Sequence, residues 1–318
     1  MKDNPKVSIL INNYNYGRFL QEAIDSALNQ TYSPTEVIVV DDGSTDNSRK
    51  IIASYGNKIA PVLKENGGQA SAFNAGFAAS RGDIICFLDS DDAFMPEKVA
   101  EVVKAFGERQ DLGWCCNRIQ WVDINGKPFV PKSIPKDSSI TKNTHEEPKR
   151  EYDLREKIKI GKFRNKIPDL APTSGLSFRR SLLQQILPMP EAKRIGLNDA
   201  YLDYTALGLS KFIILDKELT LYRVHDSNAY TVSNDSQRQR VKARINILTS
   251  YWMRVNFPSL SKFTNRLLAV SIGIYGRAGG FDGESQAFVK AYLSLATMLE
   301  KVEIYSLAFY YYLKNPKY

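Results

Sequence analysis

Short β-branched runs alternate with helix-spaced apolar positions over the first 125 residues of this 318-residue chain. Residues 6–13 (KVSILINN), 36–42 (EVIVVDD), 59–65 (IAPVLKE) and 83–89 (DIICFLD) are near-continuous in Val, Ile and Leu. Strands buried on both faces of a parallel sheet have this pattern. Between the runs, Phe19, Ala23, Ile24, Ala27 and Leu28 share one helix face. Ser44 opens a second predicted helix that Gly56 stops, and the small residues of 67–80 make a third. Pro96 stands at the first turn of a fourth, where proline is well accommodated. Strand and helix repeated in this way predict a doubly wound α/β sheet flanked by helices.

Further on, 173–186 reads as a strand leading to a helix, 198–209 as a helix, 212–216 as a strand, and 219–228 as a strand then a loop. From about Ser236 the apolar spacing is helical to the end, which predicts a C-terminal helical extension. From Pro131 to Pro168 the pattern dissolves, with eleven Lys/Arg against six Asp/Glu between Lys132 and Lys166. A structureless stretch of that length is expected to be a mobile, substrate-facing segment.

Composition narrows the class only a little. Hydrophobic residues make up 43% and charged residues 25%, as in ordinary soluble domains. The net charge of +8 suits an anionic ligand, an anionic membrane surface or nucleic acid. No RNA-binding signature or basic recognition helix supports nucleic acid, which is not expected as a partner. Cys86, Cys115 and Cys116 form no CxxC, and their apolar surroundings make them core residues in a reducing compartment. The N-terminus lacks the apolar segment of a secretory leader, and no run reaches the roughly 18 apolar residues of a membrane span. A cytoplasmic protein is expected. YSLAFYYYLKNPKY leaves room for peripheral contact with the inner face of the membrane.

The candidate chemistry collects at strand ends. The first predicted strand ends in Asn12, Asn13 and Tyr14, the second in Asp41, Asp42, Gly43 and Ser44, and the fourth in Asp89, Asp91 and Asp92. Ligands of open α/β sheets bind beyond the carboxyl ends of strands, so the three clusters fall on one edge. Neither a dinucleotide fingerprint nor a P-loop is present. Two carboxylates about 4 Å apart repel by roughly 4 kcal/mol at an effective dielectric near 20. A Mg²⁺ or Mn²⁺ ion shared with a diphosphate would offset that repulsion. The plainer reading makes DSDD a solvated loop, and DDGSTDNS an Asx-rich turn in which Ser44 and Asp46 cap a helix.

KVSILINNYNYGRFLQEAIDSALNQTY, EVIVVDDGSTDNS and NGGQASAFNAGFAASRGDIICFLDSDD, in that order, resemble glycosyltransferase family 2, whose members have the GT-A fold. TSGLSFRRSLL, NDAYLDYTALGL and LDKELTLYRVHDSN continue the resemblance over residues 5–230. It implies a GT-A domain over 1–230, with a nucleotide-binding half at 1–125 and an acceptor half at 126–230 that carries the basic insert 131–168. The helical region 231–318 resembles nothing nameable. The implied activity is inverting transfer of a sugar from a nucleotide donor, with a UDP-sugar expected. The acceptor would be a hydroxyl of a saccharide or lipid-linked molecule, as in polysaccharide biosynthesis.

Residue by residue, the resemblance puts Tyr14 on the donor base, Asn12 in its pocket, and Asp42 on uracil. Gln69 and Asn74 border the donor. Asp89-Ser90-Asp91 is the Asp-x-Asp motif: Asp91 binds the metal, Asp89 and Ser90 lie on the donor side, and Asp92 assists. His225 corresponds to a histidine that contacts metal or diphosphate. Asp199 is the general base, preceded by Asn198 where the family has Glu, with Asp203 one turn on as the fallback. The rival reading is a non-catalytic nucleotide-sugar or carbohydrate binding module, which would have lost the metal Asp or the base. Both are present here.

Overall fold

In chain order, the elements of the first half are β1 (Val7–Asn13), α1 (Gly17–Leu28), β2 (Thr35–Asp42), α2 (Ser48–Ser54), β3 (Ala60–Lys64), α3 (Gln69–Ala79), β4 (Ile84–Asp89), β5 (Ala93–Phe94), α4 (Lys98–Glu108) and β6 (Leu112–Val122). Then follow β7 (Lys149–Tyr152), α5 (Arg155–Lys159), β8 (Leu176–Arg179), α6 (Arg180–Ile186), α7 (Asp199–Leu209), β9 (Lys211–Arg223), α8 (Asp235–Asn256), α9 (Ser261–Arg277), α10 (Gly283–Leu295) and α11 (Met298–Leu313). The computed structural model describes residues 4–129, 149–161, 167–168, 170–191, 199–226, 228 and 235–314. Two compact units result. The first comprises Met1–Asp153, Pro168–Arg194 and Leu209–His225, and the second Leu154–Ile167, Ile195–Gly208 and Asp226–Tyr318.

The first unit is built on a mixed sheet whose strands run in the order β3-β2-β1-β4-β8-β6-β9-β5, with β7 also paired to β9. The four apolar runs form one parallel block, since β2 and β4 flank β1 and β3 pairs with β2. Val7, Ile9, Ile11, Ile84, Cys86 and Leu88 alternate onto one face and pack with Leu20 and Ala23 of α1 and Val99 and Val102 of α4. The opposite face carries an aromatic row. Phe73 of α3 meets Phe87 at 4.8 Å, Phe87 meets Phe178 at 5.9 Å, and Trp114 stacks between Phe178 and Phe212. Offset and edge-on rings at such spacings add to the burial of their area. Cys86, Cys115 and Cys116 are buried within this sheet and form no disulfide.

Three features depart from the sequence reading. Ser44 does not open α2, which begins at Ser48; the Ser44 hydroxyl accepts instead from Asn13 Nδ2 and the Asn15 N–H. The strand at 212–216 and the strand starting at 219 form the single strand β9, which ends at Arg223 and pairs in parallel with the unanticipated β6, with register shifts near Asn117 and Arg118. The basic insert is not structureless throughout. Lys149–Tyr152 pairs with β9 as β7, Tyr152 stacks on Phe212 at 5.0 Å, and Arg155–Lys159 is α5. Residues 131–148 and 162–166 of the expected mobile segment lie outside the described residues.

In the second unit, Ile247 of α8, Leu268 and Ala269 of α9, Tyr292 of α10, and Ile304 and Ala308 of α11 share one core. Helices α9 and α11 approach closely at Gly273, where a Cβ would meet Ala308 O at 2.8 Å and Tyr312 N at 2.9 Å. Helix propensity alone favours Ala over Gly by about 1 kcal/mol, while overpacking against rigid backbone costs about 1–3 kcal/mol. Gly273→Ala should therefore lower the Tm. Gly276→Ala, whose Cβ would meet only the Tyr312 ring at 3.3 Å, should leave it unchanged or raise it. Thermal unfolding of the two variants decides which effect wins.

Candidate functional site

Register brings the polar strand ends together. Asn12 lies opposite Asp89, and Asn13 opposite Asp41. Asn13 Nδ2 donates to Asp41 Oδ1 at 2.9 Å, and Arg49 Nε donates to Asp41 Oδ2 at 2.8 Å. Burial pushes the Asp41 carboxyl up, but donors from Ser44, Arg49 and Asn13 outweigh it and hold the group below the usual carboxylate range. Asp41 is thus a structural anion of the rim. The Asn12 amide and the Ser90 hydroxyl are buried, and neither has a hydrogen-bond partner among the described residues.

The carboxylate turn after β4 is compensated from within the protein. Asp92 is buried; its Oδ2 accepts from Ser174 Oγ at 2.5 Å and its Oδ1 from the Arg223 N–H at 2.9 Å. Burial, then the charges of Asp91 and Asp89, push its carboxyl well up, towards the neutral form. Arg223 is itself buried. Its guanidinium donates to Asp91 O (3.0 Å), Ile124 O (3.1 Å) and Glu22 Oε2 (2.5 Å) and lies over the Phe19 ring. Ser174 is fixed in turn, with its hydroxyl accepting from the Asp89 N–H and its carbonyl from Thr220 Oγ1 and the buried Lys98. Sequence reasoning singled out neither Arg223 nor Ser174. The only signal was a strongly polar residue in each otherwise matched segment.

His225 lies beside Asp91, with Nε2 3.0 Å from Asp91 Oδ2. Its other ring nitrogen lies 3.3 Å from Arg18 NH2. A guanidinium only donates, so Nδ1 accepts here and the ring proton sits on Nε2, facing Asp91. In this arrangement His225 orients Asp91 through a hydrogen bond. Coordination through Nε2 would require Arg18 to release Nδ1. Tyr16, also unanticipated, packs its ring 5.4 Å from that of His225. Burial and the charges of Asp91 and Asp89 raise its hydroxyl to about 12.

Among the described residues no three His, Cys, Asp or Glu side chains converge to hold a metal. Mg²⁺ is ordinarily bound through one or two carboxylates plus substrate phosphates and water. Asp91, backed by His225, fits that sparse donor set.

The remaining expected residues separate by what they already hold. Tyr14 is 48% exposed beside Asn15, whose φ of 59° turns the loop. Asp42 Oδ1 accepts from Lys64 Nζ at 2.5 Å and the Gly67 N–H at 3.0 Å, and Oδ2 from the Gly68 N–H at 2.7 Å. It therefore anchors the loop that leads into α3, where Gln69 is the first residue, half-buried. Asn74 braces a neighbouring segment: its Nδ2 donates to Met189 O and Glu191 Oε1, and its Oδ1 accepts from the Met189 N–H.

Asp199 belongs to the second unit, in the first turn of α7, and is half-buried. Asn198 lies outside the described residues. One turn on, Asp203 is buried, with Oδ1 lacking a partner among the described residues. Burial, then the charge of Asp199, push its carboxyl well up. A raised folded-state value gives stability that is full below the unfolded pKa of about 3.9 and is lost as pH rises toward the folded one. Asp203→Asn should therefore stabilise the protein at pH 7 relative to the parent, with the gap closing near pH 4 in urea titrations. Arg223→Met, which strands the Asp91 and Ile124 carbonyls, should cost about 1–3 kcal/mol in the same assay.

Comparison with known proteins accords with this geometry. The sequence model of the family described as Glycosyl transferase family 2 matches residues 8–187. The uncharacterized glycosyltransferase alr2836 of Nostoc sp. (strain PCC 7120) is 35% identical over 247 residues, 76% of this chain and 72% of that protein. Among solved structures, S. aureus TarS 1–349 in complex with UDP-GlcNAc superposes with a TM-score of 0.63 at 19% identity, covering 96% of this chain and 89% of that TarS 1–349 chain. Mannosyltransferase PcManGT from Pyrobaculum calidifontis, in complex with GDP-Man and Mn²⁺, gives 0.50 at 15% identity and covers 99% and 89% of the two chains. These likenesses agree with a mixed sheet flanked by helices, the GT-A arrangement. The family model spans more than half of the chain and the Nostoc relative most of it: the protein belongs to glycosyltransferase family 2.

Proposed function

We propose that this glycosyltransferase moves a sugar from a UDP-linked donor, with inversion, onto a hydroxyl of a saccharide or lipid-linked acceptor. The observation carrying this reading is the pair of buried groups at the strand ends, the Asn12 amide and the Ser90 hydroxyl, that have no hydrogen-bond partner among the described residues. A buried polar group without a partner costs about 1–3 kcal/mol, and a bound donor would supply the missing hydrogen bonds. TarS has UDP-GlcNAc and PcManGT has GDP-Man with Mn²⁺ in their structures, which supports a nucleotide-sugar here. The exposed ring of Tyr14 suits stacking on the base. Asp42 has accepted three of the roughly four hydrogen bonds a carboxylate can take, which leaves one position for a base N–H.

Asp91 is the residue to which we assign Mg²⁺ or Mn²⁺, with His225 orienting its carboxylate. The bound cation would supply Lewis-acid stabilisation of charge on the departing diphosphate. Asp199, as general base, takes the acceptor hydroxyl proton while that oxygen bonds to the anomeric carbon and the bond to the diphosphate breaks. By analogy with glycoside hydrolysis the sugar passes through an oxocarbenium-like state. One base and one displacement invert the centre, so no protein nucleophile is needed. The net positive charge suits an acidic or lipid-phosphate acceptor. Buried cysteines that form no disulfide suit the reducing cytoplasm.

Calorimetric titration with UDP, GDP and dTDP, each with and without Mn²⁺, tests the donor side. UDP should bind best and lose about tenfold or more in affinity without the metal, or about 1.4 kcal/mol. Preference for GDP or dTDP would keep the enzyme class and move the donor; no binding to any of them would sink the reading. Asp199→Asn should lower kcat by about 10²–10⁴-fold with UDP affinity unchanged. Undiminished turnover would remove Asp199 as the base.

A further inference from the structure

Helix α11 is apolar around most of its circumference. Ile304, Ala308 and Tyr311 are buried on the side facing the core of the second unit. On the opposite side, Met298, Val302, Tyr305, Phe309 and Leu313 follow one another at helical spacing, and all are exposed. Leu299 beside them is 84% exposed and Met298 76%. A helix apolar all round is ordinarily buried all round, and a continuous exposed apolar stripe marks an interaction surface.

Charge decides what covers it. Asp235 to Tyr318 carry twelve Lys and Arg against five Asp and Glu, so seven of the chain's eight net positive charges lie in this stretch. Lys301 and Lys314 border the stripe on α11, against Glu303, while Lys242, Lys262 and Lys290 are exposed on the other helices of the unit. Two copies meeting through the stripe would press like-charged units together. An anionic lipid surface instead offers hydrocarbon to the stripe and headgroup charge to the lysines, worth about 1 kcal/mol for each cation near it. Tyr305 and Tyr312, both exposed, have the apolar ring and wet hydroxyl that suit the headgroup boundary. Among the described residues no helix is long and apolar enough to cross a membrane.

We propose that α11 docks the protein on an anionic bilayer, lying in the plane of the surface with Met298, Val302, Tyr305, Phe309 and Leu313 in the headgroup–acyl boundary. The proposal draws only on the second unit and is independent of the donor reading.

Co-flotation of the full chain with phosphatidylcholine vesicles, with or without about one-third phosphatidylglycerol, tests it. The protein should float with the anionic vesicles, be released by about 0.5 M salt, and stay behind with phosphatidylcholine alone. Leu299→Glu with Phe309→Glu should cut the bound fraction about tenfold at unchanged Tm. Lys301→Glu with Lys314→Glu leaves the apolar stripe whole and should weaken flotation similarly, so a folding failure of the first variant does not stop the test. Three outcomes overturn the proposal. One is no flotation with anionic vesicles. Another is flotation indifferent to lipid charge or to the substitutions. The third is a dimer in light scattering that Leu299→Glu with Phe309→Glu converts to monomer, which assigns the stripe to a second copy.

Discussion

A buried guanidinium is the interaction on which the carboxylate turn depends. Three carboxyl groups within four positions cannot all be ionised and desolvated together without a counterweight. Arg223 holds the turn, through a backbone N–H on Asp92 and a guanidinium whose five N–H donors lie in a fixed plane. It grips the backbone of Asp91, the carboxylate of Glu22 on α1 and the carbonyl after β6, and so ties three elements to one turn. At Asp92, burial and the charges of Asp91 and Asp89 push the carboxyl well up. Any metal bound at Asp91 would add to these contacts.

That division of labour explains what the sequence could and could not reveal. β1, β2 and β4 were legible because a strand buried on both faces writes its burial into a run of adjacent residues. β6 was not: LGWCCNRIQWV interrupts its apolar character with Asn117, Arg118 and Gln120. Asn117 donates to Thr220 Oγ1 and Arg118 pairs with Asp216, partners roughly 100 residues away in the chain. β7 hid inside a basic segment because KREY shows its strand character only against the edge of β9.

The site shows the same limit. Asp89, Ser90 and Asp91 could be found by position at a strand end. Arg223, Ser174 and Tyr16 could not, since their roles come from pairings that span from roughly 70 to more than 130 residues in sequence. Ser44 misled in the other direction. Its hydroxyl is a good helix cap in isolation, but Asn13 and the Asn15 N–H claim it first. Asp42 and Asn74 carry a related lesson: a polar side chain near a site is often occupied with holding the backbone that shapes the site.

The interior placement of the cysteines has a practical corollary. Cys86, Cys115 and Cys116 are all sealed within the sheet, and burial pushes the thiols of Cys86 and Cys115 up, away from the reactive thiolate. Alkylating reagents find no native target on the folded surface, so one cysteine introduced there would be chemically unique without deleting any other. Unfolding exposes all three at once. Thiol accessibility is thus a built-in reporter of how much of the population is unfolded, one that needs neither ligand nor substrate.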